Sequence, residues 1–91
     1  MMMKIRIAVA WLSKDDWPLW QEMDSDLPAY DQWLKKIHGD LREARVRGVD
    51  CEQIILHPAQ FVAWCRAKGR TTDSDARAAY ASAILAKRTN P

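Results

Sequence analysis

The sequence predicts an α+β domain, mostly helical, with two short strands and about four helices in the order β-α-α-β-α-α. The expected sheet is small and single-layered, packed by helices. Three observations carry this reading. Ile5, Ile7, Val9 and Trp11 alternate with Lys4, Arg6, Ala8 and Ala10, the period of a strand with one apolar face. Ile54-Ile55-Leu56 is an uninterrupted apolar run ahead of His57-Pro58, as in a strand covered on both faces that turns straight into a helix. Between and after these stretches the apolar residues recur at steps of three and four.

The first strand is expected over Lys4 to Trp11, with its odd-numbered face apolar and its even-numbered face basic, then small. Ser13 to Asp16 reads as a turn. Trp17 precedes a proline and is biased away from helix, so a short helix is expected from Pro18 to near Asp24, capped by Asp16 or Trp17. Trp17, Trp20 and Met23 fall three apart on one side of it. Ser25 or Asp26 is expected to cap the longest helix, starting near Pro28, with Tyr30, Trp33, Leu34, Ile37, Leu41 and Ala44 as its stripe. Gly39 lies opposite that stripe. Asp31–Lys35, Lys36–Asp40 and Glu43–Arg47 are oppositely charged pairs four apart. Gly48 ends the helix, with Val49 folding back on Ala44.

The second strand is expected over Cys51 to Leu56. The third helix runs from Pro58 to Lys68, with Phe61, Trp64, Cys65 and Lys68 along one side, and Gly69 stops it in a left-handed conformation. Thr71 or Thr72 is expected to cap the fourth helix. Asp73 and Asp75 fall in its first turn, and Lys87 and Arg88 at its end, as the helix dipole favours. Its inner side is read as Ala76, Ala79, Tyr80, Ala83 and Ile84. Residues 89–91 read as a frayed tail. Residues 1–91 make one domain, with the start left open among Met1, Met2 and Met3.

Five tryptophans (Trp11, Trp17, Trp20, Trp33, Trp64) among 91 residues promise an aromatic core, since each buries about 150–250 Å². Trp33 and Trp64 lie on clear inner stripes and are assigned to it. Trp17 and Trp20 lie on a short, acidic, proline-containing segment, which nominates them as partner anchors. Apolar residues make up 48% and charged residues 29% of the chain, ordinary for a soluble globule. No stretch approaches the roughly 20 apolar residues of a membrane span, and Ile7 to Leu12 is too short for an export signal. Two cysteines without a CxxC pattern then point to a reducing, cytoplasmic setting.

The chemistry-bearing residues do not assemble into a catalytic pattern. Cys51 and His57 share a strand face, but six residues of strand separate them by roughly 20 Å, too far for two ligands of one ion. Cys65 sits well inside its helix, away from the end that activates a thiol. The three glycines are scattered and form no phosphate loop. Asp15-Asp16 and Asp24-Ser25-Asp26 fall at helix starts, where capping explains them. These features predict no enzyme activity, no metal and no cofactor.

Charge is segregated along the chain. From Lys14 to Asp31 there is one basic residue against six acidic ones, a net of −5. From Lys35 to Arg47 there are five basic residues against Asp40 and Glu43, a net of +3. Complementary patches of this kind suit self-association or a protein partner. The reading is therefore a small non-enzymatic protein-interaction or regulatory module that self-associates, with Trp17, Trp20, Arg42, Arg45 and Arg47 as candidate partner-binding residues. The alternative is a nucleic-acid-binding accessory protein using Arg66, Lys68 and Arg70, or Arg42, Arg45 and Arg47. Against it, Asp73 and Asp75 occupy the start of the helix that would read the bases. Two strands leave open edges, so a homodimer paired along the first strand is expected, the competing arrangement being helices that cover the edge within one monomer; Val9→Pro should dissociate a dimer only if this strand is its seam.

Overall fold

The computed structural model describes residues 5–89. In order they form β1 (Arg6–Trp11), α1 (Trp17–Met23), α2 (Tyr30–Val46), β2 (Asp50–Ile55), α3 (Pro58–Lys68) and α4 (Ser74–Thr89). The expected element order is the observed one. Lys4, Met1–Met3 and residues 90–91 lie outside the described residues, while Thr89, assigned to a tail, is the last residue of α4.

The two strands pair in parallel, Arg6 with Asp50 through Trp11 with Ile55. Parallel neighbours need a crossover rather than a hairpin, and α1 with α2 supplies it. The side chains of paired residues share a face, so Ala8, Ala10 and Ile54 point one way and Ile7, Val9, Cys51 and Trp11 the other. The core lies on the even-numbered face. Leu12, Ile54 and Leu56 are buried there, with Phe61 and Cys65 of α3 and Ala76, Ala81 and Leu85 of α4. The even-numbered face, basic and then small, could meet solvent or a close neighbour; it meets α4, while the larger odd-numbered side chains lie on the other face. Alanines at positions 8 and 10 let α4 pack close to β1, and that approach outweighs the larger side chains opposite. Ile7 remains 43% exposed. Trp11 turns instead toward α2, its ring 5.4 Å from Trp33 and 5.9 Å from His38.

The caps follow backbone chemistry. Gly48 takes φ +78° after α2, with Gly48 N–H donating to Arg45 O at 3.0 Å and Val49 N–H to Ala44 O at 2.9 Å. Gly69 takes φ +65° after α3, and Arg70 N–H donates to Cys65 O at 2.8 Å. Both are left-handed glycine stops that satisfy carbonyls the helix leaves open. Five starts differ from expectation, the first being β1, which begins at Arg6 and leaves Ile5 outside the strand. Helix α1 begins at Trp17, with Asp16 making no side-chain cap bond. Helix α2 begins at Tyr30, two residues after Pro28, and neither Ser25 nor Asp26 caps it. Strand β2 begins at Asp50 and ends at Ile55. Helix α4 is capped by Asp73, whose Oδ1 accepts the Ala76 N–H at 2.9 Å while Thr71 Oγ1 donates to its Oδ2 at 2.7 Å. A carboxylate is the better acceptor for that N–H, so the threonine supports the cap instead of forming it.

The start of α4 is tied to the end of α1. Arg77 is 7% exposed, and its Nη1 donates to Asp24 Oδ2 at 3.0 Å. Thr72 Oγ1 also donates to Met23 O, at 3.4 Å. Arg77 thus joins the buried side of α4, and Ala83, expected there, is exposed. Of the three pairs expected along α2, Glu43–Arg47 forms at 2.8 Å, and the other two are not ion pairs among the described residues. No residue of α2 is fully buried. Among the described residues no helix is long and apolar enough to cross a membrane.

Candidate interaction surface

The aromatic residues form two groups on either side of α1. Trp17 packs against Tyr30 and Trp33 at 5.2 Å between ring centroids, and its Nε1–H donates to Pro28 O at 3.1 Å. Trp20 lies 5.5 Å from Phe61, which leads to Tyr80 and then Trp64. Trp17 is 5% exposed and Trp20 0%. Neither is a surface anchor, and the sequence assignment is corrected here: the two belong to the core, whereas Trp33 and Trp64 are half-buried at its margin. The reason is topological. Between parallel strands the connecting segment must return over the sheet, so α1 is pressed between α2 and α3 despite its acidic flanks.

What α1 does expose is Leu19, which with Met23, Pro58 and Val62 lines a shallow apolar groove. Arg42, Arg45 and Arg47 are all exposed. Arg47 is held by Glu43, while Arg42 and Arg45 join His38 and Gln53 around a hollow between α2 and β2. The structure therefore brings two of the three arginines together beside the outer edge of β2, and separates all three from Trp17 and Trp20. Arg66 and Lys68 stand exposed at the end of α3, and the Arg70 guanidinium sits 5.8 Å from the centre of the Trp64 ring.

The backbone of the sheet defines a second kind of site. Asp50 N–H donates to Ile5 O at 2.8 Å and Leu56 N–H to Trp11 O at 3.0 Å. In a parallel ladder the bonded groups alternate along each strand. The odd-numbered residues of β1 therefore bond inward to β2, and the N–H and C=O groups of Arg6, Ala8 and Ala10 point away from it. The sheet has two strands, so among the described residues nothing pairs with that outer edge. The edge opens into a hollow of about 360 Å³ lined by Arg6, Ile7 and Ala8 on one side and Ser82, Leu85 and Ala86 of α4 on the other. The matching outward groups of β2 are on Cys51, Gln53 and Ile55; Gln53 lines a hollow with Arg42 and Arg45, and Cys51 one with Arg45. Cations along an edge discourage strand addition. The β1 edge carries one cation, Arg6, 3.5 Å from Asp50, and its other outward residues, Ala8 and Ala10, are uncharged.

Both cysteines are free thiols. Cys65 is buried, and burial pushes its thiol above the ordinary range, against a smaller opposing pull from Arg70. Cys51 is half-buried on β2. His57 precedes α3 and is exposed, with its carbonyl accepting the Phe61 N–H. Among the described residues no three His, Cys, Asp or Glu side chains stand together as metal ligands. Comparison with known protein families, curated proteins and solved structures gives no match.

Proposed function

We propose that this chain is a non-enzymatic interaction module that self-associates by strand addition, β1 pairing antiparallel with β1 of a second copy. The outer edge of β1, with three outward-facing residues and a hollow beside it, carries this reading. A two-fold axis normal to the sheet would give a continuous four-stranded sheet in the order β2-β1-β1-β2, with the same patch used by both copies. That axis keeps the two α4 helices on one face of the sheet. Ala78, Ser82 and Ala86 are exposed on α4 at steps of four, and side chains of that size let two helices approach closely.

Exposed apolar side chains give a second copy something to cover: Ile7 on β1 is 43% exposed and Ile5 just before it 64%. A standard interface covers about 800 Å² per partner.

The deciding experiment is light scattering across a dilution series. A mass near twice 10.5 kDa, falling at low concentration, is expected, and a 10.5 kDa species at high micromolar concentration ends the proposal. The discriminating variant is Ala8→Pro. It removes an outward N–H and places a ring at the seam without touching the β1–β2 ladder. It should yield a folded monomer. Val9→Pro, which the sequence nominated, removes an inward bond and would disrupt the fold itself.

A further inference from the structure

A cleft of about 460 Å³ opens between the α1–α2 connection, α2 and the first turns of α4. Pockets for small metabolites occupy about 300–1,000 Å³. The charged side chains in its lining are Asp24, Asp26, Lys36, Asp40 and Arg77, and Leu27, Trp33 and Ile37 supply an apolar wall.

Arg77 is the informative member. A guanidinium carries five N–H donors. Among the described residues its one side-chain hydrogen bond runs from Nη1 to Asp24 Oδ2. Trp20 Nε1 is the single side-chain polar atom there that is both sealed from solvent and unbonded. Nε and Nη2 of Arg77 make no hydrogen bond among the described residues and are not sealed from solvent, and Arg77 lines the cleft. Asp24 is differently placed: Oδ2 takes Arg77, and Oδ1 accepts the Asp26 N–H at 3.1 Å. Each oxygen of Asp24 thus already accepts one bond and its charge is matched by Arg77, whereas Arg77 keeps unbonded donors for an anion. Lys36, Asp26 and Asp40 make no ion pair among the described residues. The start of α4 is not an additional anion site, because Asp73 already caps it.

We propose that this cleft binds a compact zwitterion of the α-amino-acid class. Its carboxylate sits on Arg77 and Lys36, its ammonium on Asp26 and Asp40, and its side chain on Trp33, Leu27 and Ile37. A simple anion would meet two uncommitted carboxylates of the wrong sign. A simple cation would meet Lys36 and Arg77, two charges of its own sign. The proposal does not depend on self-association.

The test is a titration of the ¹⁵N-labelled chain with free leucine, with acetate and methylammonium as separate arms. Saturable shifts are expected at Lys36, Asp40 and the Trp33 indole N–H, and each half-ligand should bind at least about tenfold more weakly, since one lost charged contact is worth that much. Lys36→Gln and Asp40→Asn, both at exposed positions, should each weaken leucine about tenfold with unchanged melting. Arg77 is left intact because it also holds the fold. No saturable shift at millimolar leucine overturns the proposal. So does acetate binding as tightly as leucine, which would make the cleft a plain anion site, or shifts that cluster away from these residues.

Discussion

Trp20 is completely buried, and its indole N–H has no partner. Two terms of opposite sign follow. Trp20→Ala removes the largest buried side chain and should cost about 3–5 kcal/mol. Trp20→Phe leaves a smaller cavity and also removes the orphaned donor, whose burial costs about 1–3 kcal/mol, so it should be much milder. Trp33→Ala, at a half-buried position, should cost less than Trp20→Ala. Denaturant midpoints of the three variants give the order directly, and a Trp33→Ala loss exceeding that of Trp20→Ala would move the core to the α2 side. The cysteines separate in the same way. Cys65 is buried and that burial raises its thiol pKa, whereas Cys51 is half-buried, so a maleimide should label Cys51 well before Cys65 in the folded protein. Equal labelling rates, measured by peptide mass, would show that α3 opens readily.

At the scale of elements, α4 illustrates how a helix is started by charge. The Ala76 N–H, then the Thr71 hydroxyl, hold the Asp73 carboxyl below the ordinary carboxylate range, with Arg70 adding a smaller pull. A depressed carboxyl stabilises the fold at pH above the unfolded value of about 4, and that contribution is lost as pH falls through the folded one. Asp73→Asn keeps an acceptor but has no proton to take up. Stability of the wild type should therefore fall more steeply below about pH 4 than that of the variant. Denaturation midpoints taken at intervals from pH 5 downward measure this, and parallel curves would remove Asp73 from the acid response. The strands behave differently from the helix. β1 is a strand because it alternates, but which residues offer their backbone outward depends on its register with β2. That register makes position 8, not 9, the place where proline tests the edge.

The whole molecule is held together by a few long-range ties around an incompletely covered sheet. α3 and α4 pack on the even-numbered face, and the Asp24–Arg77 pair and Thr72 join α4 to α1. Helix α2 covers the other face with half-buried side chains only, leaving Ile55 57% exposed. If a second copy completes the sheet, assembly and folding are linked by mass action. The melting temperature should then rise with protein concentration for the wild type and stay constant for Ala8→Pro. Calorimetric scans over a hundredfold concentration range separate the two. A concentration-independent melt for the wild type, together with a monomeric mass, would assign the open edge to some other function.

Element types and order were legible in the sequence because they rest on local physics: alternation for β1, the apolar run before Pro58, and glycines that tolerate positive φ at 48 and 69. The third helix was readable to the residue, since Pro58 and Gly69 bound it chemically on both sides. Which face is inside was not local. The large residues of β1 suggested one face, and the decision went to the alanines, because a helix packs closest where side chains are smallest. The burial of Trp17 and Trp20 likewise depends on parallel pairing, which carries α1 back across the sheet; their three-residue spacing puts them on one side of α1 but does not say what covers that side. The cleft around Arg77 was equally out of reach. It gathers residues from the segment after α1, from α2 and from α4, and residues 24 and 77 become neighbours only when the chain has folded. Local periodicity determined what the segments are, and tertiary packing decided which of their surfaces remain free to bind.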